Sequence, residues 1–177
     1  MIEAMSPMAP CLLVASPLLI DPNFLHTVVL LVEHDENGSM GLILNRPVPL
    51  TLEKICEESH LRYGGNADDT AWRGGPVDAQ RGIILVRGGL PAEEDTVLDF
   101  TDFLSFRKDL LESLLLDPVA EFRLFLGYAG WGPGQLDMEI DQGGWAQLPL
   151  SPEWLFPTEH KGLWQRAIQA LSEEGSE

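Results

Sequence analysis

Basic side chains are scarce. Eleven Lys and Arg stand against 28 Asp and Glu in 177 residues, a formal charge of −17. A surface of that sign repels nucleic acid and anionic lipid before contact forms, so unaided binding to either is disfavoured. Only Arg107 and Lys108 are adjacent; the other nine cations are spread singly, leaving no basic stripe for DNA or RNA. Cysteine is rarer still. Cys11 and Cys56 share no CxxC spacing and sit in apolar or helical settings, which predicts two buried thiols in a reducing compartment, with a single disulfide as the alternative. The beginning of the chain carries Glu3 and no Lys or Arg, and the apolar run Cys11–Ile20 is broken by Pro17. A secretory signal needs a basic start and a membrane helix needs about 20 apolar residues, so the expected location is the cytoplasm.

Apolar residues make up 45% of the chain and charged residues 22%, a globular composition. At this length a single domain buries roughly 70% of the surface that its unfolded chain exposes, without a metal or disulfide staple. Residues 1–10, with Pro7 and Pro10, read as a loose leader. Residues 11–171 read as one domain, and 172–177 as an acidic tail. No internal repeat or low-complexity segment interrupts them.

Cys11–Ser16 reads as a strand. His26–His34 is a Val- and Leu-rich strand with polar ends. Asp35-Glu36-Asn37-Gly38 supplies turn chemistry, and Ser39–Asn45 returns as the second arm of a hairpin, ended by Pro47 and Pro49. Thr51 is placed to cap a short helix through Leu52, Ile55 and Cys56. Strands are expected at Ala71–Gly74, Gly82–Val86, Thr96–Phe100, Phe122–Tyr128 and Gly144–Leu150. Ser105 is expected to cap a helix with Leu110, Leu111, Leu114 and Leu115 on one face. A last helix carries Trp164, Ala167, Ile168 and Leu171. Irregular alternation of strands and helices with an early hairpin favours α+β over a doubly wound parallel sheet.

Recognised catalytic patterns are absent. Gly130, Gly132 and Gly134 give GxGxG, with Asp137 where a dinucleotide fingerprint needs a third glycine and no P-loop lysine following. The stretch reads instead as a strand-to-helix corner packed under Trp131 and Tyr128, its glycines serving positive φ. His26, His34, His60 and His160 show no metal-ligand spacing, so no metal or other cofactor is expected. His34, at a strand end beside Asp35 and Glu36, is suited either to general-base work or to holding a turn. Arg46, at another strand end, offers a forked guanidinium suited to a carboxylate or phosphate, with pairing to a local acid as the structural alternative.

Several segments together resemble the AlgH/YqgE family of small bacterial proteins. They are Ser16-Pro17, Asp21-Pro22-x-Phe24, Glu33-His34, Gly41-Leu42-Ile43-Leu44-Asn45-Arg46-Pro47, Gly74-Gly75-Pro76-Val77 and Gly127–Leu136. One departure is Val86, where the family often has His. The resemblance implies one compact α+β domain whose bent, mostly antiparallel sheet forms a partial barrel with helices outside. It supplies no catalytic residue or cofactor, although some members are labelled transcriptional regulators. The expected function is therefore a non-enzymatic regulatory protein that binds a protein or small-molecule partner. Its candidate ligand-binding residues are His34, Asn45, Arg46, Gly74, Gly75, Trp131 and Gln135. The alternative is a small hydrolase or transferase built around His34, Arg46 and Gln135, with Glu139 as a further candidate.

Overall fold

The computed structural model describes residues 6–98 and 101–175. Its elements are β1 (Cys11–Ala15), β2 (Val28–Asp35), β3 (Gly38–Ile43), β4 (Pro47–Thr51), α1 (Leu52–Glu58), β5 (Thr70–Arg73), β6 (Val77–Arg87), β7 (Thr96–Val97), β8 (Asp102–Ser105), α2 (Lys108–Leu116), β9 (Glu121–Trp131), α3 (Gln135–Asp141), β10 (Trp145–Leu148), a 3-10 turn at Pro152–Trp154 and α4 (Leu163–Gly175). The strands form one sheet in the order β10-β1-β2-β3-β9-β6-β8-β7, with β4 pairing β5 and β5 pairing β9. All pairings are antiparallel except β5 with β9. The sheet bends without closing on itself, so the α+β, partial-barrel architecture is the one observed.

The bend originates in β9. Its first half pairs with β6 through Leu126, and its last three residues pair with β3. Between them Gly127 takes φ +75°, a conformation that a side chain would oppose. There the chain at Gly74-Gly75 crosses β9 backbone to backbone. A Cβ on Gly75 would fall on the carbonyl of Tyr128 and the nitrogen of Ala129, inside van der Waals contact. Gly130 and Gly132, expected at positive φ, do not adopt it; Gly134 does.

Because the sheet is covered on both sides, its central strands are apolar on both faces, as β1 and the first half of β2 show. Leu12, Val14, Leu30, Leu42, Ile83 and Phe125 pack with Leu163 and Ala167 of α4. The opposite side of β1–β3 carries Leu13, Val29, Leu31 and Ile43 beneath Leu136 and Ile140 of α3. Ile84, Val86 and Leu124 meet Leu52 and Cys56 of α1 and Leu115 of α2. Among the described residues no helix is long and apolar enough to cross a membrane.

Several boundaries differ from expectation. β3 stops at Ile43, short of the expected Asn45, and Pro47 opens a separate strand: β4 runs through Pro49 as a short pairing with β5, with Pro47 at its first position and Pro49 within the register shift, where missing N–H groups are tolerated. Ser105 is the last residue of β8 and its hydroxyl accepts from the Arg107 nitrogen, so α2 begins at Lys108. The strand expected at Thr96–Phe100 is observed as Thr96–Val97, its last two residues lying outside the described ones. In the stretch read as a leader, Pro7 is buried; in that read as a tail, α4 runs on to Gly175.

The loop before β7 is held by a two-pronged ion pair. Arg107 donates to both carboxylate oxygens of Asp95, at 3.1 and 2.8 Å, and the Ala92 nitrogen adds a third bond. The hydrogen bonds from Arg107, against the opposing effect of burial, hold the Asp95 carboxyl at about 2. Its folded pKa lies below its unfolded one, so the stabilisation is fully present above about pH 4 and is lost as pH falls towards 2. The expected magnitude is about 1–2 kcal/mol, allowing for screening at the surface. Asp95→Asn is expected to flatten that part of the acid-unfolding curve while lowering stability at neutral pH, as chemical denaturation across pH 2–7 measures.

Candidate functional site

The β2–β3 hairpin projects beyond the core, and a bulge between Leu31 and Glu33 sets its outer register. Beyond the bulge His34 stands opposite Ser39, and Ser39 opposite Trp131. Glu33 stands opposite Met40, and Met40 opposite Gly130. Paired residues point to the same side of a sheet and sequence neighbours to opposite sides. His34, Ser39 and Trp131 therefore face α3, while Glu33, Met40 and Gly130 face away from it.

On the α3 side the polar groups are mutually satisfied. The His34 Nδ1 lies 2.6 Å from Ser39 Oγ, and its Nε2 lies 2.7 Å from Ser6 Oγ and 3.3 Å from Asp137 Oδ1. Ser6 donates in turn to Asp137 at 2.8 Å. Gln135 accepts from the Gly132 nitrogen and donates to Glu139. Glu139 also accepts both indole N–H groups, from Trp131 at 3.2 Å and Trp145 at 3.0 Å. The carboxylate facing His34 thus belongs to Asp137, and Gln135 and Glu139 serve the indoles and the corner. Hydroxyl, imidazole and carboxylate do meet here, but the His34 side chain is only 8% exposed and Ser6 sits against it. The arrangement holds the hairpin to α3.

Asn45 and Arg46 lie at the other end of β3, roughly 20 Å from Ser39 at the rise of an extended strand. Asn45 accepts from the Val28 nitrogen and donates to the His26 carbonyl. Arg46 donates to the carbonyls of Pro22 at 3.0 Å, Asn23 at 2.7 Å and Leu25 at 2.8 Å. Burial, with Arg73 nearby, lowers the pKa of that guanidinium. Gly74 is engaged through its backbone, donating to Leu126 and accepting from Ile43. The seven candidate residues therefore divide. His34, Trp131 and Gln135 share the α3 side of the hairpin, Asn45 and Arg46 staple the loop before β2, and Gly74 and Gly75 form the crossing. Arg46→Ala is expected to raise amide hydrogen exchange across residues 22–27 by an order of magnitude or more, since three carbonyls lose their donors. Exchange in β1 and β2 should change little.

The other side of the hairpin is open. A cleft of about 570 Å³ lies there, between β2, β3, the end of β9 and the outer arm of β6. Glu33 and Asp35 stand on one wall. Arg81 stands on the other, its guanidinium 4.4 Å from the ring centroid of Phe106. Met40, Val77, Tyr128 and Gly130 also line it, with Asn37, Gly38, Ser39 and Trp131, so Trp131 is the one of the seven candidates that borders the cleft. Among the described residues, Arg81 and Glu33 make no ion pair, in a chain with 28 acidic residues. No group of three or more His, Cys, Asp or Glu among the described residues could hold a metal.

Sequence reasoning passed over Glu33, Asp35, Arg81 and Phe106 as site residues. The signal for the first two was strand alternation: once His34 faces inward, its two neighbours must face outward. No comparable signal marks Arg81, which reaches the cleft only because residues 78–81 loop out between the Val77 and Gly82 pairings with β9.

Hairpin, crossing and glycine corner together have known counterparts. Residues 12–175 match the AlgH-like family. A UPF0301 protein of Myxococcus xanthus is 41% identical over 168 residues, covering 94% of this chain and 92% of the relative. A UPF0301 protein of Paracoccus denitrificans is 39% identical, covering 90% and 87%. The solution structure of the AlgH protein from Pseudomonas aeruginosa superposes with a TM-score of 0.76 at 32% identity, over 94% of this chain and 93% of that one. A Corynebacterium diphtheriae protein of known crystal structure shares the fold, with a TM-score of 0.76 at 22% identity and 96% and 90% coverage. With the family matched over nearly its whole length and relatives alike from end to end, this chain belongs to the AlgH-like family.

Proposed function

We propose that the protein is a non-enzymatic binding protein of the cytoplasm, and that it acts on a regulatory process through a small-molecule or protein partner held in the cleft. The observation that carries this reading is the cleft itself: about 570 Å³, with an apolar floor and charged groups of both signs that lack ion-pair partners among the described residues. That size lies within the usual range for small-molecule sites. By contrast, the cluster around His34, which has catalytic residue types, is closed and internally hydrogen-bonded. The charge of −17 argues that any influence on transcription runs through a partner and not through direct DNA contact. Two buried free thiols suit a reducing compartment.

A thermal-shift screen against metabolites, nucleotides and divalent metals tests the proposal. A ligand at 100 times its Kd adds about 2.7 kcal/mol of stability. For a domain of this length the midpoint should rise by roughly 5–10 °C. The expected outcome is a shift in the wild-type protein that Arg81→Ala and Tyr128→Ala abolish. A shift that survives both variants places binding elsewhere and defeats the assignment of the cleft. If the screen is blank, the same two variants are compared in a pull-down, where loss of a specific partner supports the cleft and retention removes it.

A further inference from the structure

Resting on the reading of the cleft as a binding site, we infer that its ligand is a short zwitterionic peptide, two or three residues long with an apolar or aromatic side chain. The argument begins with charges that are kept apart. Glu33 and Asp35 lie on β2, and Arg81 lies on the outer arm of β6 across the cleft. Glu33 has no hydrogen bond or ion pair among the described residues, and the hydrogen bond accepted by Asp35, from the Asn37 nitrogen, engages only its Oδ1. Arg81 lies over the face of Phe106, which orients the guanidinium, and its N–H groups meet no acceptor among the described residues. Exposed charges of opposite sign that border one cleft without pairing with each other are available to an occupant. Here an occupant completes both: an ammonium group against the two carboxylates and a carboxylate against the guanidinium.

The size of the cleft suits a short peptide. A cleft of about 570 Å³ is ~8 Å across if equidimensional, within the usual range for small-molecule sites. An extended dipeptide spans about 7 Å and a tripeptide about 10 Å between its ends. Between the charged ends, Met40, Val77, Tyr128 and the Phe106 ring offer an apolar floor for one side chain. The ionic contacts are exposed, so binding weakens as salt rises.

Calorimetric titration at low ionic strength with Ala-Phe-Ala, Ala-Leu-Ala and Ala-Tyr-Ala tests this, each also as its N-acetyl and C-terminal amide form. The free peptides should bind, and either blocked form should bind at least tenfold more weakly. Arg81→Ala should remove the difference between free peptide and amide. Glu33→Gln combined with Asp35→Asn should remove that between free and acetylated peptide. These side chains are exposed, so melting temperatures should stay within about 2 °C of wild type and loss of fold is not an explanation. Equal binding of free and blocked peptides, or charge variants without effect, overturns the inference. If no tripeptide binds while another compound's thermal shift is lost in Arg81→Ala, the peptide assignment falls and the cleft stands. If the cleft variants alter no binding of any kind, both fall.

Discussion

Gly75→Ala is expected to destabilise the protein by more than about 4 kcal/mol, the range reached only when a substitution forces a core or backbone rearrangement. At this crossing the added methyl group has no flexible side chain to displace. Its neighbours are the Tyr128 carbonyl and the Ala129 nitrogen, main-chain atoms of a strand paired on both sides. To make room, β9 would have to move relative to β3 and β6 together. The midpoint of thermal unfolding should fall by about 10 °C or more, and poor soluble yield would agree. Gly130→Ala is the internal control. A Cβ there would lie 3.6 Å from a Val77 methyl, an ordinary contact, so stability should change by less than about 1 kcal/mol. Equal melting temperatures for Gly75→Ala and wild type would show that the crossing is looser than described.

Glu139→Ala carries the second large effect. Trp131 and Trp145 are 5% and 3% exposed, and both indole N–H groups converge on one carboxylate oxygen of Glu139. Phe24 stacks on Trp131 at 5.8 Å and meets Trp145 edge-on at 5.5 Å, closing the cluster from the other side. Removing the carboxylate strands two donors of buried indoles at about 1–3 kcal/mol each. The expected loss is about 3 kcal/mol, with a midpoint roughly 6–12 °C lower. Glu139→Gln retains one carbonyl acceptor and should lose about half as much. In a background with both tryptophans changed to phenylalanine the cost of Glu139→Ala should largely disappear, because the stranded donors are gone. A full cost in that background would mean that Glu139 acts through something other than the indoles.

Local features with a short-range cause were legible in the sequence. The hairpin around Asn37-Gly38 and the Thr51 cap, whose hydroxyl accepts from the Lys54 nitrogen, both depend on residues within a few positions. The α+β class followed from the same patterning. The site was less legible, because adjacency in sequence does not report where a hairpin leaves its residues. His34 and Asn45 belong to neighbouring motifs, yet the two arms carry them to opposite ends of the ladder. Arg46 shows a related difficulty. A forked guanidinium suits anions, but backbone carbonyls that happen to lie within reach satisfy it equally well, and only the path of the loop at 22–25 reveals them. The cleft depends on a strand bulge and on an arm of β6 that leaves its ladder, and neither carries a residue signature strong enough to read in advance.

The order in which the sheet is assembled has a consequence for synthesis. β1 leaves the ribosome early, but its partner β10 pairs Leu12 with Leu148, and the Trp164 indole closes on the Ala15 carbonyl only later still. Until then one edge of a wholly apolar strand has no neighbour, in a topology whose decisive pairings are non-local and hence slow to form. A nascent or prematurely ended chain lacking Trp145–Leu148 presents that edge as a template for its own kind. Its most vulnerable moment comes after β1–β9 have been made and before β10 has arrived.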